Sequence, residues 1–414
     1  MISQMKKNSF LLMALLTLGL SEVVLAQNTH FGDATHAYTL PTFTKNNLGE
    51  PVLYWTEKGD DNILALYFSV SKNGGRSFSD KKLIYLDAGL GSSRLMRPKL
   101  LFKKDGTMAA IFSYRKVVAA PAAPSTHEGG HGNHVKPETP EPRPKRESQI
   151  RYTVSKDNGN TWTNPTSVDS DTTRLIRGFF DAVVLPNDEI AVAYLKDVKG
   201  STKHEERDLR MVITKNNIFQ PEKLIDPVVC DCCNISLLVD NNGKLNVFYR
   251  DNNNDIRDIA RIASSDNGAT FTKPEILRND KWEIKGCPHS GATSVATANG
   301  ALITWFSGAN EQSGVRLVDE NGKLLKVLSA NAKNGQVSAD GKKGIFVWEQ
   351  TTEGGASQIF YSKVVSGKVL DDQLVNGSDY GQNATSILIN GKLLIAFEVA
   401  KPNQRTALIV RVVE

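Results

Sequence analysis

Short apolar runs separated by turns recur along the chain, and seven of them share one pattern. Each run holds five to eight residues, is rich in β-branched and aromatic side chains, and shows no helical periodicity. Most runs follow Asn-Gly or Asp-Gly, which are the strongest short signals for a β-hairpin. The seven runs are residues 50–55, 107–114, 189–194, 244–249, 301–306, 344–348 and 392–397. This pattern predicts an all-β protein built from seven strand pairs.

A second pattern, S-x-D-x-G-x-x-W/F, follows the third predicted strand of several units. Residues 155–162 and 264–271 match it fully, and residues 71–78 match it with Asn73 in place of the aspartate. The Asp or Asn side chain caps its own turn, the glycine supplies a positive φ, and the aromatic ring packs into the sheet. The pattern therefore predicts a repeated turn that serves folding.

These turns resemble the Asp-box, or BNR, repeats of the sialidase superfamily, and the resemblance covers nearly all of residues 27–414. The resemblance implies a β-propeller of four-stranded blades around a central channel. Seven strand pairs predict seven blades, and six blades, the number found in sialidases, is the alternative. The last unit lacks a fourth strand after residues 405–413, so the segment around residues 30–38 is expected to supply it and close the ring.

Two segments do not follow the repeat. Residues 1–26 combine a basic start, a short apolar stretch and a terminal Ala26, which is typical of a signal peptide. Export to a periplasmic or secreted location is therefore expected, with residues 27–414 forming a single propeller domain. Residues 117–148 are rich in Pro, Ala, Gly, His and charge, and are predicted to be a flexible surface insertion in the second unit.

The charge of the chain is mildly positive, with 50 basic and 45 acidic residues and a formal net charge of +5. Without residues 1–26 the chain keeps 48 basic and 44 acidic residues, and they are spread along its length. A nucleic-acid binder would instead show a clustered basic face. No later apolar run is long enough for a membrane helix. The expected state is a monomer whose partner is a metal ion or a small acidic glycan, with a periplasmic or outer-membrane protein as a further candidate.

All four cysteines fall on two loops that lead into the first strands of consecutive blades. Cys230, Cys232 and Cys233 precede the fourth unit, and Cys287 precedes the fifth in a Cys-Pro-His sequence that ends at His289. Such leading loops surround the channel mouth on the face opposite the Asp-box turns, so the two are expected to be neighbours. One interpretation is two disulfides in an exported binding scaffold. The other is a thiolate-rich metal site, which is favoured because neighbouring cysteines pair only with strain.

Thiolate and imidazole together select soft ions. Copper is the first choice and zinc the alternative, which predicts a role in copper handling or in metal-dependent redox chemistry. His127, His131 and His134 lie in the insertion and are candidate accessory ligands that collect the ion. His36 leads into the first unit and is a fourth accessory candidate.

The C-x-C-C and G-C-P-H motifs are similar to those of a subgroup of exported bacterial proteins with sialidase-like Asp-boxes. That label describes a fold and not an activity. Sialidases need an arginine cluster, a Tyr nucleophile with its Glu, and an Asp acid/base, and their first arginine corresponds here to Thr39. Arg97 and Arg177 are candidate replacements, and Tyr380 and Glu398 are similar to the family's late Tyr and Glu. Because threonine cannot clamp a carboxylate in a bidentate manner, a sialidase-type glycoside hydrolase is the second hypothesis.

Overall fold

Seven antiparallel sheets form the blades of a β-propeller in the computed structural model of the chain. The structure describes residues 28–115, 147–173, 175–200, 206–310 and 312–413. The predicted signal peptide and the His-rich part of the predicted insertion lie outside these residues. Within them the chain forms 30 strands and one short 3-10 helix, Arg94–Met96. No helix in the described part of the chain is long and apolar enough to cross a membrane.

The strands follow one another from blade to blade, after a first strand that belongs to the last blade. That strand is β1 (Asn28–Phe31). Blade 1 is β2 (Ala37–Lys45), β3 (Pro51–Lys58), β4 (Leu64–Val70) and β5 (Lys82–Asp87). Blade 2 is β6 (Lys99–Phe102), β7 (Met108–Arg115), β8 (Ser148–Ser155) and β9 (Thr166–Ser167). Blade 3 is β10 (Arg177–Val184), β11 (Ile190–Asp197), β12 (Glu206–Lys215), β13 (Ile218–Phe219) and β14 (Lys223–Cys230).

The remaining four blades repeat this order. Blade 4 is β15 (Ser236–Val239), β16 (Leu245–Arg250), β17 (Ile259–Ser264) and β18 (Glu275–Ile276). Blade 5 is β19 (Thr293–Thr297), β20 (Gly300–Ser307), β21 (Gly314–Asp319) and β22 (Leu324–Val327). Blade 6 is β23 (Ala332–Asp340), β24 (Lys343–Thr351), β25 (Ser357–Val365), β26 (Lys368–Val369) and β27 (Gln373–Leu374). Blade 7 is β28 (Gly381–Ile389), β29 (Lys392–Val399) and β30 (Ala407–Val413), completed by β1.

The ring closes by pairing its two ends. Strand β1 pairs antiparallel with β30, from Asn28 opposite Arg411 to Phe31 opposite Leu408. The first strand of each blade contacts the first strand of the next, and this chain of contacts returns from β28 to β2. The predictions of seven blades and of an N-terminal closing strand are therefore confirmed, and the six-blade alternative is wrong. The closing strand ends at Phe31, and Ala37 already begins blade 1.

The core lies between the blades, where the second strands are buried on both faces. In β11 the five residues from Ala191 to Leu195 are at most 1% exposed. Trp55, Trp305 and Trp348 occupy second strands of other blades and are also buried. Because each blade covers its apolar faces with its two neighbours, a chain of this length needs no single large core.

The Asp-box turns pack against neighbouring blades. Ser155 donates to Asp157 Oδ1 at 2.8 Å and accepts from the backbone N–H of Gly159 at 2.9 Å. Gly159 has a φ of 76°, and a Cβ there would lie 2.4 Å from Phe68 of the preceding blade. The glycine is thus required by backbone conformation and by the close approach of blade 1.

Four inner strands are bent by β-bulges near the channel. The register shifts in β2, β10, β23 and β28. At each bulge one residue has a positive φ between 50° and 56°: Leu40, Phe179, Asn334 and Asn383. A bulge turns its strand and re-aims the backbone N–H groups. In β2 and β28 the re-aimed N–H groups donate to Glu398 and Glu349 of the preceding blades.

Candidate metal centre

The cysteines lie where the chain passes from the outer edge of one blade to the inner strand of the next. Cys230 is the last residue of β14, opposite Glu206 of β12, and the following turn carries Cys232 and Cys233 into β15. Cys287 lies in the segment between β18 and β19. Both segments are leading loops, and they belong to neighbouring blades, as the sequence predicts.

Three of the sulfurs form a buried cluster. The Sγ atom of Cys230 lies 3.9 Å from that of Cys232 and 3.7 Å from that of Cys233. All three residues are at most 4% exposed, and Phe179 of the blade 3 bulge packs against them. All four cysteines are free thiols in the structure, since a disulfide would need sulfurs about 2.05 Å apart.

A second group extends from this cluster to the surface. The ligand atoms of Cys232, Cys287 and His289 lie within 4.8 Å of one another, as do the three sulfurs of the buried cluster. Cys232 belongs to both groups, and Cys287 and His289 are exposed. The structure thus brings together all five residues that the sequence predicts as ligands.

The two loops are joined by a small set of polar contacts. Asn234 donates from Nδ2 to the carbonyl of Ala292 at 2.9 Å and accepts the N–H of Gly291 at 2.9 Å. The Cys287 thiol donates to Asp231 Oδ1 at 3.4 Å. A Cβ at position 291 would lie 1.8 Å from the carbonyl oxygen of Asn234, so only glycine fits this contact.

Two buried arginines lie beside the sulfurs. Arg257 donates from Nη1 to Cys230 Sγ at 3.3 Å, and its side chain is fully buried. Arg250 donates to the carbonyls of Ser290 and Phe306 at 2.7 to 2.9 Å and so supports the loop that carries His289. Neither arginine was predicted as a site residue from sequence. The available signal is their position at the two ends of the β16–β17 connection in the blade that the three cysteines lead into.

The three thiols have different acidities. Hydrogen bonds from Cys232 and Cys233, assisted by Arg257, hold the pKa of Cys230 far below its ordinary value. Burial raises the pKa of Cys233 to about 12, and the hydrogen bond to Cys230 raises that of Cys232. The arrangement therefore favours one thiolate that two neighbouring thiols support.

The spacing suits one metal ion. Sulfurs bound about 2.3 Å from an ion lie about 3.8 Å apart in tetrahedral and about 4.0 Å apart in trigonal geometry. The sulfur–sulfur distances from Cys230 are 3.7 and 3.9 Å, so one lies within these values and the other lies close below them. Thiolate sulfur with imidazole is the donor set of Cu(I) and Zn²⁺ rather than of Ca²⁺ or Mg²⁺.

Of the four predicted accessory histidines, the structure describes only His36. His36 contacts Thr35 Oγ1 at 2.8 Å and Asp33 Oδ2 at 3.1 Å through Nδ1, and it belongs to neither ligand group of the described residues. His127, His131 and His134 lie outside the described residues.

The two candidate sialidase arginines have different surroundings. Arg177 is 1% exposed, pairs with Asp169, and donates to the carbonyls of Asp171, Thr173 and Leu175 at 2.7 to 3.1 Å. Its guanidinium is thus engaged within its own loop. Arg97 donates to the carbonyl of Pro41 at 2.6 Å and of Asn383 at 3.0 Å, which ties blade 2 to blades 1 and 7.

Glu398 connects blades 7 and 1. It is 2% exposed and accepts from the N–H of Leu40 at 2.6 Å and from Asn383 Nδ2 and Gln382 Nε2 at 3.0 Å. Glu349 repeats this contact one blade earlier, because its Oε1 accepts the N–H of Asn383 at 2.5 Å. These carboxylates hold bulged inner strands in place.

A cavity at the channel mouth adjoins the cysteine loops. It encloses about 480 Å³ including its open mouth. Its lining includes Arg94, Arg97, Asn234, Gly291, Asn334 and Asn383. Arg94, which is not among the site residues predicted from the sequence, donates to Asn334 Oδ1 at 2.8 Å. Tyr380 is 39% exposed and is not among the residues that line the cavity.

Known proteins with similar sequence or structure agree with the fold. Residues 131–334 match the family described as BNR repeat-like domain. No curated protein matches the chain significantly. A protein of unknown function from Dyadobacter fermentans is similar in structure, with a TM-score of 0.51 and 14% identity over 94% of this chain and 98% of that one. These similarities agree with the β-propeller fold of the chain, and the match to the BNR repeat-like domain is confined to residues 131–334.

Two solved sialidases are also similar. The Hadza microbial sialidase Hz136 has a TM-score of 0.48 and 14% identity over 91% of this chain. The Trypanosoma rangeli sialidase in complex with the inhibitor DANA has a TM-score of 0.47 and 12% identity over 94% of this chain. The chain spans 66% and 60% of the lengths of these two proteins. Similarity at this level carries no argument about activity, and the function of this chain has to be argued from its own residues.

Proposed function

We propose that this protein is an exported, sialidase-like propeller that binds a soft metal ion at the channel mouth, with copper as the first choice. The ligands are Cys230, Cys232, Cys233, Cys287 and His289. The observation that carries the proposal is the buried cluster of three sulfurs, in which those of Cys232 and Cys233 lie 3.9 and 3.7 Å from that of Cys230. A second ligand group beside it reaches the surface. Copper handling is the role that this site supports best.

The charge around the cluster supports binding of a cation by thiolates. In the metal-free cluster, a second and a third thiolate would be repelled by the first, and a bound metal ion removes this repulsion. Arg257, with its Nη1 3.3 Å from Cys230, offsets one further negative charge. Sulfur donors favour Cu(I), whereas imidazole suits copper and zinc alike, so the two ions have to be compared directly.

Metal binding is tested on the full chain purified without oxygen. Thiols are titrated, copper and zinc are measured, and Cu(I) affinity is determined by competition with a chromophoric chelator. We expect one tightly bound Cu(I), and a loss of affinity in Cys230→Ser. His30→Ala is the control, because His30 is exposed on β1 and is not a proposed ligand. Two disulfides in the protein recovered from its export compartment, with no bound metal, would overturn the proposal.

Export is a separate part of the proposal. The mature chain is expected to begin at residue 27, after removal of residues 1–26. Intact-mass measurement of the protein from the periplasm or medium tests this directly. Retention of the full mass together with a cytoplasmic location would contradict it.

Hydrolysis of an acidic glycoside is the second candidate function. It is favoured by one observation, the presence of Arg94 and Arg97 in the wall of the central cavity, where they could face a carboxylate. The hydrogen bonds of Glu398 to blade 1 and the position of Tyr380 outside the cavity lining weigh against it. Release of a fluorogenic aglycone from a sialoside, lost in Arg97→Met and Tyr380→Phe, would support this function.

A further inference from the structure

We propose that Cys232 passes the metal ion from an exposed station, formed with Cys287 and His289, to a buried station, formed with Cys230 and Cys233. The inference rests on the proposed metal site and adds a direction to it. Two ligand groups share one residue, and all ligand atoms within each group lie within 4.8 Å. A single centre of five equivalent ligands would not separate in this way.

The two stations differ in their access to water. Cys230 and Cys233 are 1% and 2% exposed and are covered by Phe179. Cys287 and His289 are exposed, and Cys232 is 4% exposed between the two stations. An ion that arrives from solvent therefore meets Cys287 and His289 first, and the buried sulfurs retain it afterwards.

The exposed station is arranged to present a ligand. His289 Nδ1 lies 2.9 Å from the carbonyl oxygen of Cys287, which can only accept a hydrogen bond. The proton of neutral His289 is therefore on Nδ1, and Nε2 keeps a free lone pair for a metal ion. Asp231 accepts the Cys287 thiol at 3.4 Å, so the carboxylate holds that sulfur beside the buried cluster.

The transfer is a ligand exchange without any change of oxidation state. Cu(I) first binds Cys287 Sγ and His289 Nε2, and the Cys287 proton leaves to solvent. A bond to Cys232 Sγ forms with loss of its proton. The bonds to His289 and Cys287 then break while bonds to the Cys230 thiolate and to Cys233 form. The Cys233 thiol releases its proton, and Cys287 takes up a proton again.

The experiment separates the rate of capture from the affinity at equilibrium. The full chain is mixed with a Cu(I)–chelator complex, and the chelator absorbance is followed in a stopped-flow instrument and then at equilibrium. We expect Cys287→Ser with His289→Ala to slow capture by about tenfold or more while changing affinity by less than about threefold. Cys233→Ser should lower affinity by about 100-fold and leave fast capture in place. His30→Ala should change neither.

Each other outcome contradicts the proposed transfer through Cys232. Equal losses of rate and affinity in the Cys287/His289 variant would mean a single shared centre, and an unchanged rate would mean that the exposed station plays no part. Failure of the wild-type protein to bind Cu(I) would instead remove the proposed function itself. If Cys233→Ser does not fold, Cys233→Ala and the Cys287/His289 variant still decide the question.

Discussion

The guanidinium of Arg257 lies 3.3 Å from the sulfur of Cys230, and both side chains are buried. Arg257 is held from the backbone as well, since its N–H donates to the carbonyl of Trp282 at 2.8 Å. A buried positive charge fixed beside a thiol stabilises the thiolate before any metal arrives. The blade that the cysteine loop leads into therefore supplies the charge that prepares the site.

Replacement of this charge should weaken metal binding. We expect Arg257→Met to raise the pKa of Cys230 and to lower Cu(I) affinity by about 10- to 100-fold. Arg257→Lys keeps the charge but not the planar donor group, so its Cu(I) affinity should lie between those of the wild type and Arg257→Met. The pH dependence of thiol alkylation in metal-free protein and chelator competition measure these effects. Arg405→Met, at an exposed ion pair with Asp60, is the matched control. Unchanged affinity in Arg257→Met would show that the guanidinium only fills space.

The contact between the two cysteine loops depends on Gly291. Because a Cβ there would lie 1.8 Å from the Asn234 carbonyl oxygen, Gly291→Ala should push the loops apart and separate Cys287 from Cys232. We expect slower Cu(I) capture and a loss of about 1–3 kcal/mol in the free energy of unfolding. Gly286→Ala is the control on the same loop, since nothing lies within 4 Å of its added Cβ. Equal behaviour of the two variants would contradict this account of the loop contact.

The hydrogen bonds of Glu398 predict a structural cost on mutation. Glu398→Ala leaves the N–H of Leu40 without its acceptor at the closing junction of the ring. We expect the free energy of unfolding to fall by about 1–3 kcal/mol for each donor left unpaired, with Cu(I) affinity unchanged. Denaturant titration measures this, and Glu353→Ala, at an exposed loop position, is the control. An unchanged free energy of unfolding in Glu398→Ala would show that these hydrogen bonds do not stabilise the ring.

The Asp-box turn of blade 2 predicts a pH dependence. Hydrogen bonds from the Thr161 side chain and backbone lower the pKa of Asp157 to about 2. Because the folded pKa lies below the unfolded value, the stabilisation is fully present above the unfolded pKa and is lost as the pH falls towards about 2. The stability difference between wild type and Asp157→Asn should therefore be largest near neutral pH and shrink in acid. Asn73→Asp, at the same position of blade 1, should show the opposite sign, and parallel pH curves for all three proteins would refute the explanation.

The blades were predictable because their signals are local. A hairpin turn, a run of β-branched residues and an Asp-box such as 155–162 each depend on residues close together in the chain. Repetition then implies a closed ring, and consecutive leading loops become neighbours. The meeting of Cys230–Cys233 with Cys287 follows from this order alone.

The roles of single charged side chains were not predictable in this way. Arg177 and Arg97 occupy similar positions in sequence, yet Arg177 is engaged by its own loop and Arg97 reaches a cavity shared by several blades. Similarly, Glu398 faces the N–H of a bulged residue more than 350 positions away. The pattern of apolar runs determined the architecture and the place of the cysteines. Only the tertiary structure decided which sulfur is shared, which arginine adjoins it and which carboxylate closes the ring, because hydrogen bonds and ligand spacing depend on distances of a few ångströms that appear when the ring closes.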